Sequence, residues 1–485
     1  MNSQIIRHPN PEVMRRTARR CRERGIVIPT FRQLRDPGLI PEAVKARLPR
    51  VSPNAIDPLN LFRITWKNDP VSGLFGGVNF LEIPREITGV KARIIGLAGR
   101  FFPTGAHKVG AAFGCLVPRL VSGEFDPAVH KAAWPSTGNY CRGGAFDCAI
   151  LGCKGIAILP EQMSRERFEW LKSIGAEIIV TPGGESNVKE IYDKCWELKK
   201  DPLISIFNQF EEFGNPIYHY AVTGPACAEA VAAAGGPALR AAAYVSATGS
   251  AGTIAAGDFL KKQFPGLKII ASEALQCPTL LLNGFGEHRI EGIGDKHVPW
   301  VHNVRNTDGV AAIDDEDCMR VLRLFNEPAG RDHLLALGVG ANVLDKLSWL
   351  GISGICNVLA SIKTARHFEL DERDAILTVF TDSTDLYRSR LEELRTERGP
   401  YRLQDAIRDH AGPLAHQGCD NFRELGYWDR KAIHNLKYFT WVEQQGKTSR
   451  ELAELWEPDT WRRLFEEEPV LIDKLIDEFN AEAAR

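Results

Sequence analysis

Residues 131–160 read KAAWPSTGNYCRGGAFDCAILGCKGIAILP, and that run decides the fold class. KAAWPS and GIAILP are short apolar runs closed by Ser or Pro, the pattern of strands buried on both faces. Between them lies the turn Pro135-Ser136-Thr137-Gly138-Asn139, then a stretch through Cys141, Cys148 and Cys153 that reads as a helix. A strand, a helix and a second strand in sequence predict parallel pairing. The alternation continues on either side. ARIIGLAG precedes the run, and AEIIVTP, LISIFNQ, AAYVSATG, LKIIASEA and AILTVFTD follow it, each bounded by Gly, Pro or Ser. Candidate helices separate them, such as Ser164 to Ile174, with Ser164 as cap and Phe168, Leu171 and Ile174 on one side. The class is therefore α/β, built on parallel sheets.

From this centre the chain divides into four parts. Residues 1–66 are rich in Pro and Arg without regular periodicity and read as an extension that wraps a core. Residues 67–240 form a first α/β domain, and residues 241–390 a second, with the boundary placed at the Ala- and Gly-rich run from Ala226 to Ala243. From residue 391 to 485 the strands stop and charged, Trp-containing helical sequence takes over.

Composition narrows the function. A chain of 485 residues with 44% hydrophobic and 25% charged residues can bury large cores, which excludes general disorder. Lys plus Arg total 60 against 62 Asp plus Glu, so no overall field favours nucleic acid or an anionic membrane, and a small molecule is the expected partner. The basic cluster Arg15 to Arg24 reads as a solvated helix face. Eleven scattered cysteines fit a reduced compartment and no standard zinc spacing, so no metal is expected. No stretch approaches a 20-residue apolar span, and the expected setting is cytoplasmic.

Four motifs carry candidate chemistry. In Thr104-Gly105-Ala106-His107-Lys108-Val109-Gly110 a lysine opens a stretch of small apolar residues. A lysine in such company is costly unless neutral or paired, which makes Lys108 a candidate Schiff-base former, with a surface lysine as the plain alternative. Ser136-Thr137-Gly138-Asn139 stands between strand and helix, where free amides meet an anion or an Asn simply caps. Gly249-Ser250-Ala251-Gly252-Thr253 follows AAYVS and permits close approach of backbone to a phosphate, although it matches neither a Walker A loop nor a dinucleotide fingerprint. Asp382-Ser383-Thr384-Asp385-Leu386-Tyr387 follows the last strand, placing hydroxyls and carboxylates where a parallel sheet presents ligand-binding groups, with capping of the next helix as the plain alternative.

Taken in order, a lysine, an Asn loop, a phosphate-type turn and a late Ser resemble the tryptophan synthase β and cysteine synthase family of fold type II pyridoxal-phosphate enzymes. Asn215-Pro216, His219, Thr223-Gly224-Pro225, Gly292-Ile293-Gly294 with Pro299, and Gly351-Ile352-Ser353-Gly354 occur in family order. The resemblance covers roughly Leu97 to Arg390. It implies two tryptophan synthase β-like domains with pyridoxal 5'-phosphate in the cleft between them. Lys108 would hold the cofactor and remove the substrate's Cα proton. Asn139 would contact the ring hydroxyl, Ser136, Thr137, Gly138 and Asn139 would receive the substrate carboxylate, and Gly249, Ser250, Ala251, Gly252 and Thr253 would hold the phosphate. Ala251 departs from the two adjacent glycines frequent there. Ser383 would face the ring nitrogen, with Asp382 as its rival.

The implied reaction is β-elimination or β-replacement on a small β-substituted L-amino acid through an aminoacrylate, with sulfide or another small nucleophile as partner. A serine/threonine-type dehydratase or a racemase on the same scaffold is the alternative. A catalytically inactive binding protein is the reading from another class. The family also implies a homodimer. After Asn139 the family usually has Thr-Gly, whereas this chain has Tyr140-Cys141-Arg142. Arg142 is thus expected either to read a second anionic group on the substrate or to stand exposed at a helix start.

Overall fold

The computed structural model describes residues 5–136, 138–184, 188–294 and 296–485; Thr137 lies outside the described residues. The strands are β1 (Phe80–Ile83), β2 (Arg93–Ala98), β3 (Lys131–Pro135), β4 (Lys154–Pro160), β5 (Glu177–Thr181), β6 (Ile204–Ile206), β7 (Arg240–Ala247), β8 (Lys268–Ala274), β9 (Gly309–Ile313), β10 (Asp374–Phe380) and β11 (Phe422–Glu424). All eight strands expected from the sequence are present. They form two sheets, one in the order β5-β4-β3-β6 and one in the order β1-β2-β10-β7-β8-β9-β11. The smaller sheet is parallel throughout, and the larger is parallel between antiparallel edges β1 and β11.

β10 is buried on both faces, all seven residues included, and apart from Asp374 at its start and Thr378 its side chains are apolar. Successive side chains serve opposite cores. Ile376 joins the cluster that includes Ile355 and Leu359 of the helix Ile352–His367, while Leu377 joins the cluster on the other face with Tyr244 and Leu260.

The sheets do not divide the chain at residue 240. β1 and β2 precede the smaller sheet in sequence yet belong to the larger one, where β2 pairs in parallel with β10 along six residue pairs. The larger unit therefore draws on segments from both sides of the smaller. Three strands lie outside the sequence expectation. β9 falls between Trp300 and Leu347, where the family resemblance offers no counterpart, and β11 interrupts the helical C-terminal part to pair with β9. β1 is a four-residue edge strand on β2.

The two terminal extensions hold one another. The helix Pro11–Glu23 packs on the last helix, Glu468–Ala484, and on Lys108–Ser122. The Asp473 carboxylate accepts from the backbone N–H of Phe31 at 2.6 Å and of Arg32 at 3.1 Å, capping the start of Phe31–Arg35. The Asn480 amide accepts from the N–H of Ile28 and donates to its C=O, at 3.1 and 2.8 Å. Among the described residues, no single helix is long and apolar enough to cross a membrane.

Candidate active site

The elements expected to carry chemistry meet at the carboxyl ends of β3, β7 and β10, where parallel sheets present ligand-binding groups. Lys108 is the first residue of the helix Lys108–Ser122, behind two short 3-10 turns that follow β2. Its Nζ donates to Ser250 Oγ at 3.1 Å and to Gln209 Oε1 at 3.3 Å. The lysine and the phosphate-type turn, 142 residues apart, thus touch directly.

The turn Gly249–Thr253 leads into the helix Ile254–Gln263. It is anchored from β7, where Ser246 and Thr253 share a hydroxyl hydrogen bond of 2.7 Å and Tyr244 donates its phenol to the Thr253 carbonyl at 2.9 Å. Among the described residues, the backbone N–H groups of Gly249, Ser250, Ala251 and Thr253 have no hydrogen-bond partner. Free amides ahead of a helix, with hydroxyls and a lysine amine, are the donor set that a phosphate monoester requires. The residues therefore fit pyridoxal phosphate. Ala251 holds φ 59°, the left-handed region that glycine occupies without cost, so the departure from a second glycine is a strained backbone.

Behind Lys108 stand two neutral histidines. Burial pushes the pKa of His107 and of His219 well below the usual value, and Lys108 adds to the effect on each. Their rings meet edge to face at 5.0 Å, and His107 Nε2 lies 3.3 Å from the Thr381 hydroxyl. Asn215 donates to Ser250 Oγ at 3.0 Å, so this hydroxyl receives both the amide and the lysine.

The opposite side of the site is charged. Asn139 is the first residue of the helix Asn139–Leu151, and its Nδ2 donates to Asp382 Oδ2 at 2.6 Å. Tyr387 donates its phenol to the same oxygen at 2.7 Å and accepts from Arg167 Nη2 at 3.0 Å. Arg167 also pairs with Glu291 at 3.3 Å, and Glu291 pairs with Arg390 at 2.6 Å. Arg167 lies under the turn, since a Cβ built on Gly138 would fall 2.1 Å from its Nη1. Burial raises the pKa of the Asp382 carboxyl, opposed chiefly by the Arg167 charge.

Several expected residues have different surroundings from those the sequence suggested. Arg142 is buried, so it does not stand exposed at the helix start. Its Nη2 donates to the Thr104 carbonyl at 2.8 Å, its Nη1 to Asn139 Oδ1 at 3.3 Å, and its guanidinium lies 4.7 Å over the Trp170 ring. Burial, reinforced by Arg167, lowers its pKa to about 10. The Ser383 hydroxyl donates to Asp385 at 3.2 Å, turned toward its own chain neighbour, while Asp382 reaches across to Asn139. Ser136 Oγ accepts from the Gly138 N–H at 3.1 Å. Ser164 precedes Arg165–Ser173 but makes no side-chain cap there.

Sequence reading missed Gln209, Thr381 and Arg167, and it included Tyr387 in the motif after β10 without giving it a role of its own. Gln209 ends the run LISIFNQ, and a side chain just past a parallel strand was the available signal. Arg167 had none, because a charge beside Phe168 on an amphipathic helix reads as solvated.

The family described as pyridoxal-phosphate dependent enzyme matches residues 83–341. The chain is 31% identical over 322 residues to a cysteine synthase of Staphylococcus aureus, covering 66% of this chain and 96% of the relative. It is 30% identical over 293 residues to a probable cysteine synthase of Bacillus subtilis, covering 59% and 87%. Among solved structures, cysteine synthase from Entamoeba histolytica superposes with a TM-score of 0.56 at 22% identity, over 70% of this chain and 94% of that one. The O-acetylserine dependent cystathionine beta-synthase of Helicobacter pylori does so at 0.53 and 24% identity, over 65% and 95%. With a lysine aimed at a turn of free amides and relatives matched along almost their whole length, the chain belongs to the family of pyridoxal-phosphate dependent enzymes.

Proposed function

We propose that this enzyme removes or replaces the β-substituent of a small L-amino acid, in the manner its cysteine synthase relatives suggest. The observation that carries the reading is the contact of Lys108 Nζ with Ser250, because it puts an amine beside a turn of unpartnered backbone N–H groups. The bound cofactor supplies an electron sink for negative charge at the substrate's Cα. The chain supplies the rest. Gly249–Thr253 bind the phosphate through backbone N–H groups and the Ser250 and Thr253 hydroxyls. Ser136, Gly138 and Asn139 orient the substrate carboxylate, with Arg142 holding Asn139 from behind. Lys108 Nζ moves the Cα proton, and the β-substituent leaves with its bonding electrons. A nucleophile such as sulfide then takes its place, or water releases pyruvate and ammonia.

Product analysis with serine, O-acetylserine and cysteine, each with and without sulfide, tests the reading. Cysteine formed from O-acetylserine and sulfide, or pyruvate and ammonia without it, is the expected result. Substrate recovered only as racemate, with no β-bond cleaved in any mixture, contradicts it.

A further inference from the structure

We infer that Asp382 is a positioning residue that fixes the Asn139 carboxamide, and through it the way Asn139 meets the ring oxygen of the cofactor. The inference rests on the cofactor placement proposed above. Asn139 belongs to the smaller sheet's unit and Asp382 to the end of β10 in the larger, so their 2.6 Å hydrogen bond joins the two sides of the cleft. A carboxylate only accepts and a guanidinium only donates. With Asp382 on Nδ2 and Arg142 on Oδ1, the amide has one orientation and cannot flip without opposing like partners. The remaining N–H of Nδ2 is then the group left for a ligand, and it suits an oxygen acceptor.

Asp382 is itself held from several sides. Tyr387 donates to its Oδ2, Arg167 secures Tyr387, and the Gly351 N–H donates to the Asp382 carbonyl at 3.0 Å. Gly351 also makes room for the carboxylate: a Cβ there would fall 1.9 Å from Asp382 Oδ1. Asn139, Arg142, Arg167, Asp382 and Tyr387 are all buried, so these bonds act in a medium where each is strong and a missing partner is costly. Arg142 completes the clamp from the helix side, with its second branch fixed on the Thr104 carbonyl.

The test is a titration with pyridoxal phosphate, followed by absorption, of the wild type, Asn139→Ala, Asp382→Ala and the double variant. Each single change should weaken cofactor binding about tenfold and displace the bound cofactor's absorption in the same sense. The double variant should lose no more than either single, because the pair acts as one unit. Gly351→Ala, which keeps the charge but displaces the carboxylate, should reproduce the displacement. Tyr387→Phe, which deletes one donor, should do so at smaller size. Wild-type binding and absorption in any folded Asp382 or Gly351 variant, or losses that multiply to about a hundredfold in the double variant, overturn the inference. A wild type that shows no lysine-linked absorption overturns the proposed function and this inference together. A normal wild type with an unaltered Asp382→Ala overturns this inference alone.

Discussion

The two turns that frame the site are made from opposite chemistry. Gly249–Thr253 carries no charged side chain of its own: its donors are hydroxyls and backbone N–H groups, and the Lys108 amine lies against Ser250. The other turn ends at Asn139, whose amide belongs to a continuous run of charged and phenolic groups, from Arg142 through Asn139, Asp382, Tyr387, Arg167 and Glu291 to Arg390. A turn built from main-chain dipoles carries no counter-charge that must be desolvated, and local sequence suffices to shape it. A run of buried charges holds only while every partner is present, and here the partners come from both sheets. Binding of the phosphate should thus depend on one segment, and orientation of the substrate on how the two units sit together.

Four substitutions break or sharpen this contrast. Lys108→Ala removes the amine that lies against Ser250 and should lower kcat/KM by on the order of a thousandfold or more, read by steady-state kinetics with the best substrate of the product screen. Arg167→Met leaves Glu291 and Tyr387 short of a buried partner and should cost about 3 kcal/mol of stability, read by denaturant unfolding. A loss near zero would mean the charged run is slack. Ser250→Ala removes one neutral hydroxyl and should leave stability nearly intact while weakening cofactor binding about tenfold. If it destabilises the fold as much as Arg167→Met, the two turns do not differ as described. Ala251→Gly relieves the left-handed backbone at φ 59° and, after the added freedom of the unfolded chain, should raise the melting temperature by no more than about 2 °C.

The contrast also explains what the sequence could show. Lys108, Gly249–Thr253 and Asn139 are legible because each directly follows a strand or its turn, and strand ends are written locally in runs such as AAYVS and KAAWPS. The orientation at the end of β10 is not. Whether Asp382 or Ser383 faces the cleft depends on the space left by Gly351 and on Asn139, 243 residues away in sequence. Arg167 is buried by the opposite unit, which no periodicity on its own helix reveals. The same holds for the sheets. β10 is legible from its run AILTVF, apolar but for Thr378, whereas β11, with only Phe422, Arg423 and Glu424, exists because β9 offers it an edge. The placement of β1 and β2 in the larger sheet is likewise set by pairing with a strand that comes almost three hundred residues later.

The central claim is that Lys108 bears the cofactor, and reduction of the pyridoxal phosphate-loaded protein with borohydride followed by peptide mapping tests it most directly. The account predicts one modified peptide, with the pyridoxyl group on Lys108 and none in the Lys108→Ala protein. A stable adduct on any other lysine, or no adduct under conditions where the cofactor is bound, would contradict it.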